Sequence, residues 1–266
     1  MILRHEEAGA GYYLGDARHM TALADASVHL VATSPPYYNA RAEYSSWPDY
    51  AAYLADMRLV WAECWRVLVE GGRIAINTPD VYGRPGSGGC LPIGDDTLRG
   101  ILAAGFTLRG KVIWTKGAAA RSSTAWGSWL SASNPSLRDG HEVITICHKG
   151  PARRPGPARI DRATFTEATV SVWAIAPARH RWHPAPWPAE IPRRLIELYT
   201  WPGDVVLDPF MGSGTTVQVA QGLGRQGLGI ELRADYLDQA ITSIASQGTL
   251  PGIEHQTMTR GEHEST

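Results

Sequence analysis

Cysteine is scarce. The 266 residues hold three, Cys64, Cys90 and Cys147, odd in number and far apart. They exclude a disulfide framework and read as reduced thiols of a cytoplasmic protein. Long hydrophobic runs are missing: no stretch approaches the roughly 20 apolar residues that a membrane helix needs. The opening MILRHEEAGAGYY carries acids and lacks the apolar centre of a signal peptide. A metal set is lacking too. His180 and His183 sit three apart, but no cysteine or acid completes a zinc site, so no metal is expected. No internal repeat is visible.

What is present is an ordinary core-forming composition, 44% hydrophobic and 19% charged. It suits one domain over residues 1–250. From Pro251 to Thr266 the chain is polar and expected to be disordered. Net charge is −1, but it is unevenly spread. Residues 109–194 hold 14 Lys+Arg against 5 Asp+Glu, and six of the ten tryptophans. Such a basic, aromatic segment suits a polyanionic partner. A plain solvated arginine face satisfies the charge alone equally well.

Short apolar runs bounded by turn signals alternate with helical periodicity. GYYLGDA, SVHLVATS, RIAINTP, LRGKVIWTK, HEVITICHK, TVSVWAIA, GDVVLDPF and QGLGIELR read as strands. Between them, residues 50–70 read as a helix with Asp49 as cap and Gly71-Gly72 as its stop. DDTLRGILAAG, PAEIPRRLIELYT, GTTVQVAQGLG and ADYLDQAITSIASQ read as further helices. Residues 83–94 and GPARRPGPARIDR are loops. This alternation argues an α/β fold with a mostly parallel sheet, whose ligands sit at the carboxyl ends of the strands. The polar knots fall there: Asp16, TSPPY, NTPD with Asp80, DPFMGSG and Glu231.

VVLDPFMGSGTT is a strand that feeds a glycine turn and then a helix. Gly212 and Gly214 permit a tight turn and close approach of a ligand. Free N–H groups at the helix start favour a carboxylate or phosphate. The loop is neither G-x-G-x-x-G nor G-x-x-x-x-G-K, which argues against nicotinamide dinucleotides and nucleoside triphosphatases. Glu231 ends the next strand, where an acid commonly holds ribose hydroxyls. The other knot, VATSPPYYNAR, is an apolar strand that runs into two prolines. Proline cannot donate to a sheet and stiffens the chain.

TSPPY ahead of DPFMGSGTT, in this order, resembles the β-class amino-methyltransferases of DNA, which use S-adenosylmethionine. The likeness covers roughly residues 10–245. It implies a circularly permuted class I methyltransferase, Rossmann-like, with a seven-stranded mostly parallel sheet and small inserted DNA-recognition loops. Residues 10–116 would form the catalytic half, 117–182 the insertions that recognise the target, and 183–245 the cofactor half. By resemblance, Asp16, Thr33, Asp208, Pro209, Phe210, Gly212, Ser213, Gly214, Thr215, Thr216 and Glu231 hold the cofactor. Glu231 would lie on the ribose and Asp16 at the adenine end, with 183–196 closing over the methionine end. Ser34, Pro35, Pro36 and Tyr37 match the catalytic motif.

Serine at position 34 is typical of cytosine-N4 enzymes, whereas adenine-N6 enzymes mostly read D-P-P-Y. The reading is therefore a cytosine-N4 methyltransferase of double-stranded DNA, with adenine-N6 methylation second and an RNA substrate third. Ser34 Oγ and the Pro35 carbonyl would accept the two amino hydrogens of a flipped base, with Tyr37 stacked on it. No cysteine nucleophile is needed. Arg41, Arg121, Trp126, Arg153 and Arg154 are the candidate DNA contacts; Trp126 and Trp129 are equally readable as the core of a hairpin. The resemblance also allows a homodimer and a restriction nuclease partner.

Overall fold

In the computed structural model the described residues are 1–7, 9–40, 47–80, 89–117, 127–138, 140–157, 160–178 and 187–247. Arg41, Arg121, Trp126, His180, His183, residues 83–88 of the 83–94 loop and the 251–266 tail lie outside them.

Among the described residues the chain forms one nine-stranded sheet. Its strands are β1 (Ile2–Glu7), β2 (Ala10–Leu14), β3 (Val28–Thr33), β4 (Leu68–Thr78), β5 (Thr107–Thr115), β6 (His141–His148), β7 (Val172–Ala174), β8 (Val205–Asp208) and β9 (Gln226–Glu231). The helices are α1 (Tyr50–Val67), α2 (Ile93–Ala103), α3 (Arg162–Ala168), α4 (Glu190–Tyr199), α5 (Thr215–Gly222) and α6 (Ala234–Gln247). The sheet order is β1-β2-β9-β8-β3-β4-β6-β5-β7.

The expected seven-stranded, mostly parallel sheet is corrected to nine strands of mixed direction. Neighbours from β2 through β9, β8 and β3 to β4 are parallel, as are β5 and β7. β1 is antiparallel to β2, and β6 is antiparallel to both its neighbours. β1 escapes the apolar pattern because it is an exposed edge strand with the polar sequence ILRHEE. β7 is only three residues long.

One helix end differs, and one short helix was not expected. α1 starts where expected, with the Asp49 carboxylate accepting from Ala52 N at 2.8 Å. It ends at Val67, and Gly71-Gly72 lie inside β4 rather than stopping the helix. The chain turns directly from helix to strand because Leu68 is already extended. α3 arises just after the arginine- and proline-rich loop, capped by Asp161, which accepts from Thr164 N at 3.0 Å.

Strand alternation splits the central sheet between two cores. Val28, Val31, Ile74 and Ile76 pack with Tyr53, Trp61 and Cys64 of α1 and Ile101 of α2. Leu30, Ala32, Ala75 and Val206 pack with Ile191 and Leu195 of α4 and Val219 of α5 on the other face. Leu237 and Ala240 of α6 close over Tyr12 and Val217 beside α5. Buried Cys64 and Cys147 are parts of this packing, and burial pushes both thiols up, Cys147 to about 11. No helix among the described residues is long and apolar enough to cross a membrane.

α5 lies unusually close to β9. A Cβ built on Gly227 would stand 2.7 Å from the Val217 carbonyl oxygen and 2.9 Å from Val217 Cγ1. Only glycine permits this approach, which sets the height of the first turn of α5 above the strand ends. Gly227→Ala is expected to cost about 1–3 kcal/mol through overpacking. Urea unfolding of the variant would show this as a lowered midpoint; an unchanged midpoint would mean the helix shifts freely.

Candidate active site

β2, β9, β8, β3 and β4 all end at one edge of the sheet, and antiparallel β6 begins there. The chain leaves each end through a polar turn. Gly15 N donates to the Glu231 carbonyl at 2.9 Å, which joins the end of β2 to that of β9. The Thr33 hydroxyl donates to Asp208 Oδ1 at 2.5 Å, which joins β3 to β8. Asn77 and Thr78, both buried, end β4.

The glycine loop is built as a strand–turn–helix. Phe210 N donates to Asp208 Oδ1 at 3.1 Å, and Gly214 N donates to the Met211 carbonyl at 2.7 Å. Gly212 (φ 48°) and Gly214 (φ 80°) occupy the left-handed region that glycine permits. Gly214 is the N-cap of α5 and supplies no side chain, so the helix starts without a side-chain cap. Its first N–H groups therefore face the loop, where a carboxylate is favoured. The Ser213 and Thr215 hydroxyls lie 3.2 Å apart in the same turn.

Glu231 braces this loop from the neighbouring strand. Its Oε2 accepts from Gly212 N at 3.1 Å and its Oε1 from Arg233 N at 3.0 Å. Burial pushes its carboxyl above the ordinary range, and those two N–H groups oppose the shift. Asp16 is held differently. Arg18 grips both its oxygens and also donates to Asp56 at 2.8 Å. The Arg18 guanidinium holds the Asp16 carboxyl below its usual value. The glycine cradle, the uncapped helix start and two carboxylates at adjacent strand ends fit a cofactor with a nucleoside at one end and an amino-acid carboxylate at the other.

The diproline turn faces this loop. Pro35 is buried, and Ser34, Pro36 and Tyr37 are half-buried. Ala40 N returns to the Tyr37 carbonyl at 3.1 Å, with Asn39 in the left-handed region (φ 51°). Ser34 Oγ lies 3.0 Å from Tyr37 Oη, and Tyr37 Oη donates to Glu142 Oε2 at 3.0 Å. Asn77 Nδ2 also donates to Glu142 Oε2 at 2.5 Å, and Lys116 Nζ pairs with Glu142 Oε1 at 2.8 Å. Burial, then the Glu142 charge, holds the Tyr37 phenol well above its ordinary value of 10. Asn77 opens the NTPD knot, whereas Lys116 and Glu142 are residues of this network that motif reading does not single out. Asp80 lies at the same edge, exposed, with its carboxylate 3.9 Å from His141.

Of the arginines expected to meet DNA, only Arg153 and Arg154 are among the described residues, and Arg154 points away from this edge. Arg154 donates to Asp204, just before β8, through both terminal nitrogens. Its guanidinium also stacks 4.2 Å from the Trp201 ring centre. This is the amino end of the strands, opposite the site. Arg153 is exposed on the same segment. Segment 187–196 packs into the core through Trp187, Ile191, Leu195 and Ile196. Among the described residues no cluster of histidine, cysteine or acid could hold a metal.

An open α/β sheet with a glycine loop and a neighbouring acid at its carboxyl edge is the site of a protein that binds a nucleotide cofactor. Comparison with known proteins narrows that class. The family model described as DNA methylase matches residues 28–242. The type II methyltransferase M.MjaI of Methanocaldococcus jannaschii is 32% identical over 260 residues, 82% of this chain and 85% of that protein. The type II β methyltransferase M.BslI of a Bacillus strain is 29% identical over 229 residues, but the chain spans only 25% of its length. A candidate DNA modification methylase of Thermus thermophilus, solved with S-adenosyl-L-methionine, is 30% identical with a TM-score of 0.73, covering 92% of this chain and 97% of that one. The PvuII DNA methyltransferase (cytosine-N4-specific) shares the fold, with a TM-score of 0.72 at 19% identity over 88% of this chain and 86% of its own. The chain belongs to the DNA methylase family. It is a DNA methyltransferase whose methyl donor is S-adenosylmethionine.

Asp208 offers a test of the loop's electrostatics. Full burial raises its carboxyl from the ordinary 3.8 to about 6, against the Thr33 hydroxyl and the Phe210 N–H. The unfolded chain loses this proton near pH 3.8 and the folded chain near pH 6, so stability falls as pH rises between them. The loss is about 3 kcal/mol, complete above roughly pH 6. Glu231, also raised, adds a slope of the same sign. Asp208→Asn is expected to flatten part of this decline in urea unfolding between about pH 4 and 7, since its Oδ1 still accepts both bonds. An undiminished slope would contradict the assignment.

Proposed function

We propose that this protein transfers the methyl group of S-adenosylmethionine to the N4 amino group of a cytosine flipped out of double-stranded DNA. The observation that carries the reading is Ser34. Ser34 and Pro35 directly follow β3, and β3 is hydrogen-bonded to β8, which feeds the glycine loop.

The amino group of cytosine is a poor nucleophile because its lone pair is delocalised into the ring. Two acceptors on its N–H bonds draw the nitrogen toward tetrahedral geometry and free the pair. Ser34 Oγ and the Pro35 carbonyl supply those acceptors. Pro36 has no N–H to compete for them. Tyr37 offers its ring to the base. The cofactor supplies an activated methyl on sulfur. The chain's own part is to orient it: Glu231 toward the ribose, Asp16 toward the adenine end, and the loop from Asp208 through Pro209, Phe210, Gly212, Ser213, Gly214 and Thr215 to Thr216 around the rest. Proximity and alignment of the two reactants then supply most of the acceleration.

Flipping the base costs a few kcal/mol, which phosphate contacts and the pocket offset. With Arg154 engaged at the opposite edge, the DNA contacts fall to Arg41, Arg121 and Trp126 and to loops of the catalytic edge. The order of β3 before β8 along the chain is read as a circular permutation, catalytic half first. The type II names of the relatives support a place as the modification partner of a restriction nuclease.

The test is direct. The protein is incubated with S-adenosylmethionine and mixed DNA, the DNA is digested, and the methylated nucleoside is identified by mass spectrometry. N4-methylcytosine is expected. N6-methyladenine alone would overturn the cytosine reading, and product on RNA but not DNA would overturn the DNA substrate. Ser34→Ala is expected to bind cofactor normally and transfer no methyl; full activity would remove the hydroxyl from the mechanism.

A further inference from the structure

We infer that Glu142 is a positioning residue for methyl transfer, acting through Tyr37 to make the Ser34 hydroxyl a pure acceptor and to draw off the amino proton. The inference rests on the proposed role of Ser34.

Hydrogen counting carries it. A carboxylate can only accept, so the Tyr37 hydroxyl, 3.0 Å from Glu142 Oε2, spends its one hydrogen there. The 3.0 Å bond between Tyr37 Oη and Ser34 Oγ must then be donated by Ser34. Asn77 enforces the same polarity, since its Nδ2 lies 3.2 Å from Tyr37 Oη and 2.5 Å from Glu142 Oε2 and can only donate. Ser34 has now spent its only hydrogen. Its lone pairs remain to accept. Asn77 Nδ2, 3.4 Å from Ser34 Oγ, takes at most one of them. A serine without this arrangement is free to present either its hydrogen or its lone pair to a substrate amino group, and only the second helps.

The same chain balances the reaction. Transfer of a methyl cation to an amino nitrogen leaves one proton in excess on the base. As the N–H bond breaks, that proton moves to Ser34 Oγ, the Ser34 proton moves to Tyr37 Oη, and the Tyr37 proton moves to Glu142 Oε2. The base becomes neutral, Glu142 becomes a neutral acid, and no other reactant is needed. Lys116, paired to Glu142 Oε1 at 2.8 Å, holds the carboxylate in place. The residues converge from separate elements, Ser34 and Tyr37 after β3, Asn77 near the end of β4 and Glu142 near the start of β6.

The experiment is single-turnover methyl transfer to unmethylated genomic DNA by the full chain, in light and heavy water. Glu142→Gln and Tyr37→Phe are each expected to slow transfer by about 100-fold, the lower end for a positioned proton acceptor, with cofactor affinity unchanged. The double variant is expected to be no slower than either single one, because both break one chain. The solvent isotope effect of the parent is expected to shrink in both, and Glu142→Asp to recover part of the rate. Should Glu142→Gln fail to fold, Glu142→Asp and Tyr37→Phe carry the same comparison. Parent-like rates, or slowing that multiplies in the double variant, would overturn the relay. Full activity in Ser34→Ala would instead overturn the site reading beneath it; an inactive Ser34→Ala beside a fully active Glu142→Gln would overturn the relay alone.

Discussion

The bond from Thr33 to Asp208 is the contact on which the site depends. Both side chains are buried, and they close the ends of two adjacent parallel strands. Burying a carboxylate is costly unless its oxygens are satisfied. Here the Thr33 hydroxyl and the Phe210 N–H share one oxygen, so the same acceptor shapes the glycine loop and anchors the strand that leads to Ser34. Adjacent strands stand about 4.8 Å apart. That spacing fixes how far the turn after β3 stands from the glycine loop after β8.

The two edges of the sheet use charge in different ways. At the carboxyl edge, Glu142, Lys116 and Asn77 form a small polar network behind the diproline turn. At the amino edge, Arg154, Asp204, His29 and Trp201 lock the segment after β6 against the start of β8. Val205 N donates to His29 Nδ1 at 3.0 Å, which leaves the other ring nitrogen to face Asp204. Part of the arginine excess in the middle of the chain is therefore structural.

The local shape of the candidate site was legible where it depends on one short segment. TSPPY and DPFMGSGTT each lie on one continuous turn, and the helix after the second begins at Thr215 as its glycines suggest. The Asp49 cap was equally local. The rest depends on pairing between distant strands. Glu142 meets Tyr37 only because β6 runs antiparallel to β4, bringing the start of one strand to the end of the other. A lone acid opening a strand carries no such information. β1 was hidden because an exposed edge strand needs no apolar face, and Gly71-Gly72 misled because they sit within a strand, where Gly71 approaches Arg154 closely.

The sheet order also bears on how the chain is made. β3 and β8 are neighbours at the centre, yet Thr33 and Asp208 are 175 residues apart in sequence. Contacts of such separation form slowly, because the loop must be closed before they repay it. During synthesis β3 and β4 emerge long before β8, and the edge of β3 that β8 will cover stays open until most of the chain has left the ribosome. An open apolar edge of this kind invites pairing with other nascent chains. Slow translation or a chaperone would therefore matter most between residues 78 and 205, before β8 arrives to close the sheet.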